Sequence, residues 1–311
     1  MADIVITEFM DETPIHDLAR RHDTLYRPDL ADRPEELLAA LADARALIVR
    51  NRTQVREALL DAAPKLKIVG RLGVGLDNID LDACKARGIQ VFPATGANDD
   101  GVAEYVIAAI MTLLRGAFHA QEEMLAGLWP RTRLMGREIA GKTLGLIGFG
   151  AIARKTAARA GALGMAINAY DPFLPAEHAA WAEAIRHETL ETMLPVCDAI
   201  SLHVPLGDGT RNMLDAAMFA LMKPDAVVIN AARGGVLDEA ALADALKAGR
   251  LGGAALDVFA REPLTAEAAA VFLGAPNLIL TPHIAGVSVE SNIRVSAVTA
   301  ANVLKALEEL S

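Results

Sequence analysis

A glycine-rich turn between a predicted strand and a predicted helix limits the possible folds of this chain more than any other feature. Residues 143–147 read as a buried strand, and Gly148-Phe-Gly150-Ala-Ile-Ala153 then begins a helical pattern. Gly148 permits a tight turn, Gly150 lets a phosphate approach the backbone, and the small Ala153 lets the helix pack closely on the strand. The helix N-terminus offers free N–H groups and a positive dipole end to the anion. The turn therefore predicts a nucleotide-binding α/β unit.

An acidic residue stands at the end of the next predicted strand. That strand, residues 166–170, is followed by Asp171, which lies 18 residues after Ala153 (171 − 153 = 18). A carboxylate about 20 residues from the turn accepts hydrogen bonds from the ribose hydroxyls of a dinucleotide. It also repels a 2′-phosphate, and no Arg or Lys follows in residues 172–175. The acid and the lack of a nearby cation favour NAD over NADP as the cofactor. The alternative to a dinucleotide site is an ordinary glycine turn followed by a helix-capping acid.

Strand-like and helix-like segments alternate along most of the chain, in two series. The first series ends near residue 92, and the second runs from residue 143 to residue 280. One long helical stretch, residues 99–128, separates them, and residues 289–310 read as an amphipathic helix. Such alternation predicts parallel strands joined by crossover helices. The expected fold class is α/β, with two units that each contain a parallel sheet.

Composition and charge narrow the classes of partner. Apolar residues make up 53% of the chain and charged residues 23%, enough for sizeable cores and too apolar for a disordered chain. The net charge of −10 repels nucleic acids and anionic lipids. Cys84 and Cys197 lack metal-ligand spacing, so we expect reduced thiols and no metal site. The N-terminus lacks a signal-peptide pattern and no apolar run spans a bilayer, which together predict a soluble, cytoplasmic protein.

Three reactive side chains follow predicted strands late in the second series: Arg233, Glu262 and His283. Arg can bind a substrate carboxylate through two parallel hydrogen bonds. His can give a proton to a carbonyl oxygen near neutral pH, and a carboxylate beside the ring fixes its tautomer and favours the imidazolium. Each residue also has an ordinary explanation, as a surface turn, a solvated acid or a core histidine. Together, after a dinucleotide-binding turn, they suit reversible reduction of a ketone by hydride.

At these residues the chain resembles the D-isomer-specific 2-hydroxyacid dehydrogenases, and within them the 3-phosphoglycerate dehydrogenase branch. The resemblance also covers the segment Gly70-Arg-Leu-Gly-Val-Gly-Leu-Asp-Asn-Ile-Asp80 and the turn at Gly148. It implies two Rossmann-like, doubly wound parallel-sheet domains with an interdomain active-site cleft. The substrate-binding domain would comprise residues 1–97 and 287–311, and the NAD-binding domain residues 98–286. The helical stretch from residue 99 would link the domains and support a homodimer.

The resemblance also implies roles for individual residues. His283 would be the acid/base, Glu262 its partner and Arg233 the carboxylate clamp, while Asp257 would hold the nicotinamide carboxamide. The expected cofactor contacts are Gly148, Gly150, Ala151, Ile152, Asp171, Pro205, Ala231, Arg233, Asp257, His283 and Gly286. The expected substrate contacts are Arg50, Arg71, Val74, Gly75, Asn98 and Arg131, with the backbone of Val74 and Gly75 binding the carboxylate.

Several arginines suggest that the 2-hydroxy acid carries a second anionic group. Arg50 and Arg71 resemble residues that hold a substrate phosphate, and the segment around Arg131 resembles one that reaches the partner subunit's site. Any of these arginines can instead be an ordinary surface residue. The acids at Asp99 and Asp100, and the end of the chain without a regulatory domain, depart from the phosphoglycerate pattern. Phosphoglycerate, sulfolactate and hydroxypyruvate or glycerate therefore all stay open as substrates.

Three other hypotheses are alternatives to a dehydrogenase whose substrate carries two anionic groups. One is a hydroxypyruvate/glyoxylate reductase of the same family, although a plain lactate or glyoxylate enzyme would have little use for so many cations. A non-catalytic NAD-sensing scaffold is disfavoured by the intact Arg233, Glu262 and His283. In formate dehydrogenase-like enzymes a Gln precedes the catalytic His, whereas Pro282 precedes His283 here.

Overall fold

The computed structural model describes residues 2–118 and 120–310, which form two compact units. Unit 1 contains the residues up to Asn98 together with those from Val287 onward, and unit 2 contains Asp99–Gly286. Within the described residues, each unit is built on one sheet whose paired strands all run parallel. The prediction of two α/β units with parallel sheets is confirmed.

Unit 1 contains a five-stranded sheet in the described part of the chain. The strands are β1 (Ile4–Ile6), β2 (Thr24–Tyr26), β3 (Ala46–Val49), β4 (Ile68–Arg71) and β5 (Gln90–Pro93). The helices are α1 (Glu12–Ala19), α2 (Pro34–Leu41), α3 (Glu57–Asp61), α4 (Leu81–Ala86) and the C-terminal α12 (Val289–Glu309), with a 3-10 turn at Leu30–Asp32. The strand order is β2-β1-β3-β4-β5. In this order ligands bind where the winding reverses, beyond the ends of β1 and β3.

The C-terminal helix α12 packs directly on the sheet of unit 1. A Cβ at Gly70, in β4, would lie 2.7 Å from Val303 Cγ2 and 2.9 Å from Thr299 Cγ2. A glycine inside a strand weakens it but permits close approach of another element. Gly70 therefore lets the helix approach the strand more closely than any larger residue would.

Unit 2 contains a seven-stranded sheet among the described residues, in the order β12-β11-β10-β9-β6-β7-β8. The strands are β6 (Thr143–Ile147), β7 (Ala166–Tyr170), β8 (Ile185–Arg186), β9 (Ala199–Leu202), β10 (Val227–Asn230), β11 (Gly253–Leu256) and β12 (Leu278–Leu280). The helices are α5 (Asp99–Arg115), α6 (Gln121–Leu125), α7 (Ala151–Ala162), α8 (Leu190–Met193), α9 (Ala216–Leu221), α10 (Glu239–Lys247) and α11 (Ala266–Ala269). Three 3-10 turns lie at Ala179–Glu183, Leu194–Val196 and Ala270–Phe272. The winding reverses between β6 and β9, where dinucleotides bind in sheets of this order.

The helices differ from the sequence prediction at one place. The expected single helix over residues 99–128 is wrong, because α5 ends at Arg115 and α6 begins at Gln121. Gly116 has a φ of +60°, and its N–H bonds to the carbonyl of Thr112. A glycine in this left-handed conformation ends a helix. No helix in the described ranges is both long and apolar enough to cross a bilayer.

Candidate active site

The glycine-rich turn of unit 2 has the geometry of an anion-binding site. Gly148 has a φ of +86°, and a Cβ there would lie only 2.6 Å from the carbonyl oxygen of His203. Gly150 precedes α7, has open space at its Cβ position and provides no side-chain cap. The first N–H groups of the helix, which include those of Ala151 and Ile152, have no acceptor within the helix. The turn therefore fits the pyrophosphate of a dinucleotide.

The carboxylate of Asp171 lies beside this turn. Its Oδ2 accepts a hydrogen bond from Phe149 N at 2.9 Å. Its Oδ1 accepts from Phe173 N at 3.0 Å and from Leu174 N at 3.2 Å. These bonds hold the acid at the end of β7, next to the turn, as an acid that binds ribose hydroxyls requires. Its contact with the ribose stays a prediction.

Three further predicted cofactor contacts follow other strands of the same sheet. Pro205 follows β9, and its carbonyl accepts a hydrogen bond from the Thr210 hydroxyl at 2.6 Å. Ala231 directly follows β10, and Gly286 lies in the loop after β12. Because the strands are parallel, these residues lie at the same edge of the sheet as the turn. Their contacts with the cofactor stay predictions.

His283 and Glu262 form a close pair at this edge. His283 Nδ1 lies 2.7 Å from Glu262 Oε2, and Glu262 Oε1 accepts a hydrogen bond from Phe259 N at 3.0 Å. The histidine side chain is 47% exposed. Within the described part of the chain, its Nε2 has no hydrogen-bond partner. With Nδ1 on the carboxylate, Nε2 is the ring nitrogen that can exchange a proton with a ligand.

The surrounding charges keep Glu262 ionised. Burial raises the pKa of this carboxyl, but the hydrogen bonds from His283 and Phe259 N and the charges of His283 and Arg233 outweigh it, so the pKa is lowered. Arg233 follows β10, and its Nη1 donates to the Ala232 carbonyl at 2.6 Å. The ionised carboxylate accepts at Nδ1 and so sets which ring nitrogen of His283 is left for a ligand. The structure thus brings the three predicted catalytic residues to the ends of the neighbouring strands β10, β11 and β12.

Asp257 organises the loop that carries His283. It follows β11, is 1% exposed, and its carboxylate accepts hydrogen bonds from Thr281 Oγ1 (2.6 Å), Ile284 N (2.8 Å) and Ala285 N (2.8 Å). Its carbonyl accepts from His283 N at 2.8 Å. His283 has a φ of +56°, a conformation that costs on the order of 1–3 kcal/mol for a residue with a Cβ. Asp257 offsets this strain, while its contact with the nicotinamide stays a prediction.

In unit 1 a buried acid organises the loop after β3. The Glu8 carboxylate is 4% exposed and accepts hydrogen bonds from the backbone N–H groups of Arg50, Asn51, Arg52 and Thr53, at 2.8–3.2 Å. Burial raises its pKa, but these bonds outweigh burial and the pKa is lowered. Arg50 Nη2 donates to Asn292 Oδ1 at 2.5 Å. The loop N–H groups are therefore occupied by the protein's own carboxylate, and the arginine side chain is held in place.

The other predicted substrate contacts of unit 1 lie at the ends of β4 and β5. Arg71 is paired with Val49 in the sheet, and its Nη1 donates to the Leu72 carbonyl at 3.1 Å. The N–H groups of Val74 and Gly75 donate no hydrogen bond to any described residue. Asn98 Oδ1 is buried and has no partner among the described residues. These atoms are candidates for ligand contacts, which stay predictions.

Arg131 and Asp100 differ from the other residues singled out in the sequence. Arg131 is exposed, in the segment between α6 and β6, and bonds to no other predicted site residue among those described. Asp100, an acid that departs from the phosphoglycerate pattern, pairs with Lys155 and Arg159 of α7, each at 2.8 Å. Its charge is thus used in binding α5 to α7.

Sequence reasoning missed three side chains that position the predicted ones. Glu8 supports the loop of Arg50, and Thr281 bonds to Asp257. Tyr105, on α5, bonds in turn to Thr281 at 2.6 Å. Thr281 was visible only as a neighbour of His283. For Glu8 and Tyr105 no local signal exists, because their partners lie 42 and 176 residues away.

The bonds of Glu8 predict a loss of stability in Glu8→Gln. An amide has only one acceptor oxygen for these N–H groups, so at neutral pH the free energy of unfolding is expected to fall by about 1–3 kcal/mol. The pKa of Glu8 in the folded protein lies below the ordinary value of 4.5. Its contribution to the free energy of unfolding is therefore complete above pH 4.5 and is lost as the pH falls through the folded pKa. Urea unfolding at neutral pH and at a pH below the folded pKa of Glu8, with Glu35→Gln as an exposed control, measures this difference. A difference that widens on acidification contradicts it.

Comparisons with known proteins agree with the geometry of unit 2. The family model described as "D-isomer specific 2-hydroxyacid dehydrogenase, NAD binding domain" matches residues 107–285. Among solved structures, D-lactate dehydrogenase from Aquifex aeolicus, complexed with NAD and lactic acid, is similar with a TM-score of 0.86 and 28% identity. The match covers 98% of this chain and 95% of that one.

Curated relatives extend the similarity to the whole chain. An (S)-sulfolactate dehydrogenase of Chromohalobacter salexigens is 54% identical over 307 residues, 99% of each protein. A D-3-phosphoglycerate dehydrogenase of Mycobacterium leprae is 40% identical over 272 residues, 88% of this chain and 51% of the relative. The chain thus spans about half the length of that relative. This chain belongs to the D-isomer specific 2-hydroxyacid dehydrogenase family. Its residues 107–285 match the NAD-binding domain of that family.

Proposed function

We propose that the protein catalyses the NAD-dependent oxidation of (S)-sulfolactate, or the reduction of the corresponding 2-oxo acid. The observation that carries the redox part is the pair of His283 and Glu262, which leaves Nε2 available at the edge of the sheet that bears the dinucleotide turn. When bound, NAD supplies the nicotinamide ring that exchanges a hydride with C2 of the acid.

The chain's own groups account for the proton and the charge. In the oxidation, His283 Nε2 accepts the proton of the C2 hydroxyl while the C2–H bond breaks and its electron pair leaves with the hydrogen. The ionised Glu262 stabilises the protonated ring through Nδ1. Arg233 binds the substrate carboxylate as a planar, two-pronged donor. In the reduction the same proton returns to the carbonyl oxygen.

Stereochemistry supports sulfolactate as a substrate of a D-specific fold. The carbon that bears the sulfonate outranks the carboxyl carbon in the naming rules, whereas the methyl carbon of lactate does not. The (S) label of sulfolactate therefore denotes the same spatial arrangement as a D-2-hydroxy acid. The (S) configuration in the relative's name therefore agrees with the D-isomer specificity of the family. The hydride is expected to be exchanged at the same face of C2 as in a D-2-hydroxy acid.

The charges of unit 1 favour a singly charged second group. Arg50 and Arg71 supply two positive charges and Glu8 one negative charge, while Arg52 is paired with Asp32. A sulfonate carries one negative charge at neutral pH, but a phosphate ester carries about 1.5–2. We propose that Arg50 and Arg71 bind the sulfonate and that the free N–H groups of Val74 and Gly75 bind the carboxylate.

A panel of acids at fixed NAD⁺ tests this assignment. We expect kcat/KM for (S)-sulfolactate to exceed that for D-lactate by roughly a hundredfold, the worth of one or two hydrogen bonds to a charged group. Arg50→Ala is expected to remove most of this advantage and to leave D-lactate turnover nearly unchanged. Arg20→Ala, an exposed arginine of the same unit, is the control.

The other outcomes of the panel are equally informative. A preference for D-3-phosphoglycerate, or for glycerate and hydroxypyruvate, would replace sulfolactate while keeping the dehydrogenase. Tight NADH binding without turnover of any acid would support the NAD-sensing scaffold and overturn the proposal.

We also propose that the protein acts as a homodimer in the cytoplasm. Large apolar side chains are exposed close together in the sequence: Phe118 (73%), Leu125 (81%), Leu128 (57%), Trp129 (76%) and Met135 (82%). Exposed apolar surface of this kind is typical of an interface, and a second copy is the commonest partner. Both cysteines are unpaired and buried, which suits a reducing compartment.

Sedimentation of Trp129→Glu tests the dimer. A charge at this position opposes burial of the apolar segment, so the variant is expected to sediment as a monomer at concentrations where the unaltered protein is a dimer. Phe173→Glu, at an exposed phenylalanine outside the segment, is the control. An unaltered protein that sediments as a monomer contradicts the proposal.

A further inference from the structure

A chain of hydrogen bonds joins helix α5 to the loop that carries His283. The Tyr105 hydroxyl lies 2.6 Å from Thr281 Oγ1, and Thr281 Oγ1 lies 2.6 Å from Asp257 Oδ1. A carboxylate can only accept, so the threonine hydroxyl donates a hydrogen bond to Asp257. The threonine oxygen must then accept from Tyr105. Burial raises the pKa of Tyr105, so this hydroxyl keeps its proton and donates.

The chain ends on the backbone of the candidate acid/base. Asp257 accepts the N–H groups of three successive residues: His283 on its carbonyl, and Ile284 and Ala285 on its carboxylate. These bonds hold His283 at a φ of +56°. A small rotation of this segment would move Nε2, and misplacement of a catalytic group by about 1 Å can cost a hundredfold in rate.

We propose that Tyr105 is a positioning residue for His283, acting through Thr281 and Asp257. The tyrosine hydroxyl fixes the threonine rotamer that donates to the carboxylate, and linked hydrogen bonds strengthen one another in a buried site. Tyr105 stands on α5, outside the loops that bear the reactive groups. The inference rests on the proposed function, because it takes His283 as the group that moves the substrate proton.

Steady-state kinetics of Tyr105→Phe measure this role. The variant keeps the ring and loses the hydroxyl, so kcat is expected to fall about fivefold to fiftyfold while KM for NAD⁺ changes less than about twofold. Tyr26→Phe is the matched control, because Tyr26 is partly buried against the core of unit 1 and its hydroxyl makes no hydrogen bond to a described residue. Thr281→Val is expected to lose more than Thr281→Ser, which keeps the hydroxyl. A kcat for Tyr105→Phe within about twofold of the unaltered protein overturns the proposal.

A double-mutant cycle separates positioning from general support of the fold. If Tyr105 acts through His283, then Tyr105→Phe has less than about a twofold further effect in a His283→Ala background. The same loss in both backgrounds contradicts the proposal.

Hydrogen exchange gives a readout that needs no turnover. Tyr105→Phe is expected to speed exchange of the amides of residues 283–285 severalfold and to leave those of β6 unchanged. If the unaltered protein oxidises no 2-hydroxy acid, the proposed function fails, and the exchange rates still decide whether Tyr105 holds this loop. Unchanged exchange at these amides overturns the inference.

Discussion

The candidate active site depends on the buried carboxylate of Asp257. An isolated charge at 1% exposure would be costly, but this one accepts three hydrogen bonds and leaves its carbonyl for a fourth. All four donors belong to the segment from Thr281 to Ala285. The acid thereby holds His283 in a left-handed conformation that the chain would otherwise avoid. Neighbouring Glu262 then takes Nδ1, which leaves Nε2 for the proposed proton transfer.

In each unit a buried carboxylate accepts hydrogen bonds from a loop, Asp257 in unit 2 and Glu8 in unit 1. In unit 2 the buried Asp257 and the partly exposed Glu262 hold the segment and the ring of His283, as the proposed proton transfer requires. In unit 1 Glu8 occupies the backbone N–H groups of the loop that carries Arg50, which fixes the loop and reduces its positive charge. A site prepared in this way suits an anion of modest charge. The proposed preference for a sulfonate over a phosphate follows from this balance.

The sequence predicted the parts of the molecule that depend on local patterns. The strands, the turn at Gly148 and the spacing to Asp171 are short-range features, and so are the motifs around Arg233, Glu262 and His283. The end of α5 was missed, because Gly116 acts through its backbone conformation within an otherwise helical pattern. The roles of Glu8 and Tyr105 required the fold, since their partners are distant in sequence. Asp100 is a similar case. In the sequence it was only a departure from the phosphoglycerate pattern, and its ion pairs with α7 required the fold.

The most direct measurement compares His283→Ala with the unaltered protein in the oxidation of (S)-sulfolactate, with NADH binding followed by fluorescence. A positioned acid/base is worth about a hundredfold or more in rate. We therefore expect a loss of that size in a folded variant that still binds NADH. A folded His283→Ala protein that turns over at the unaltered rate would contradict it.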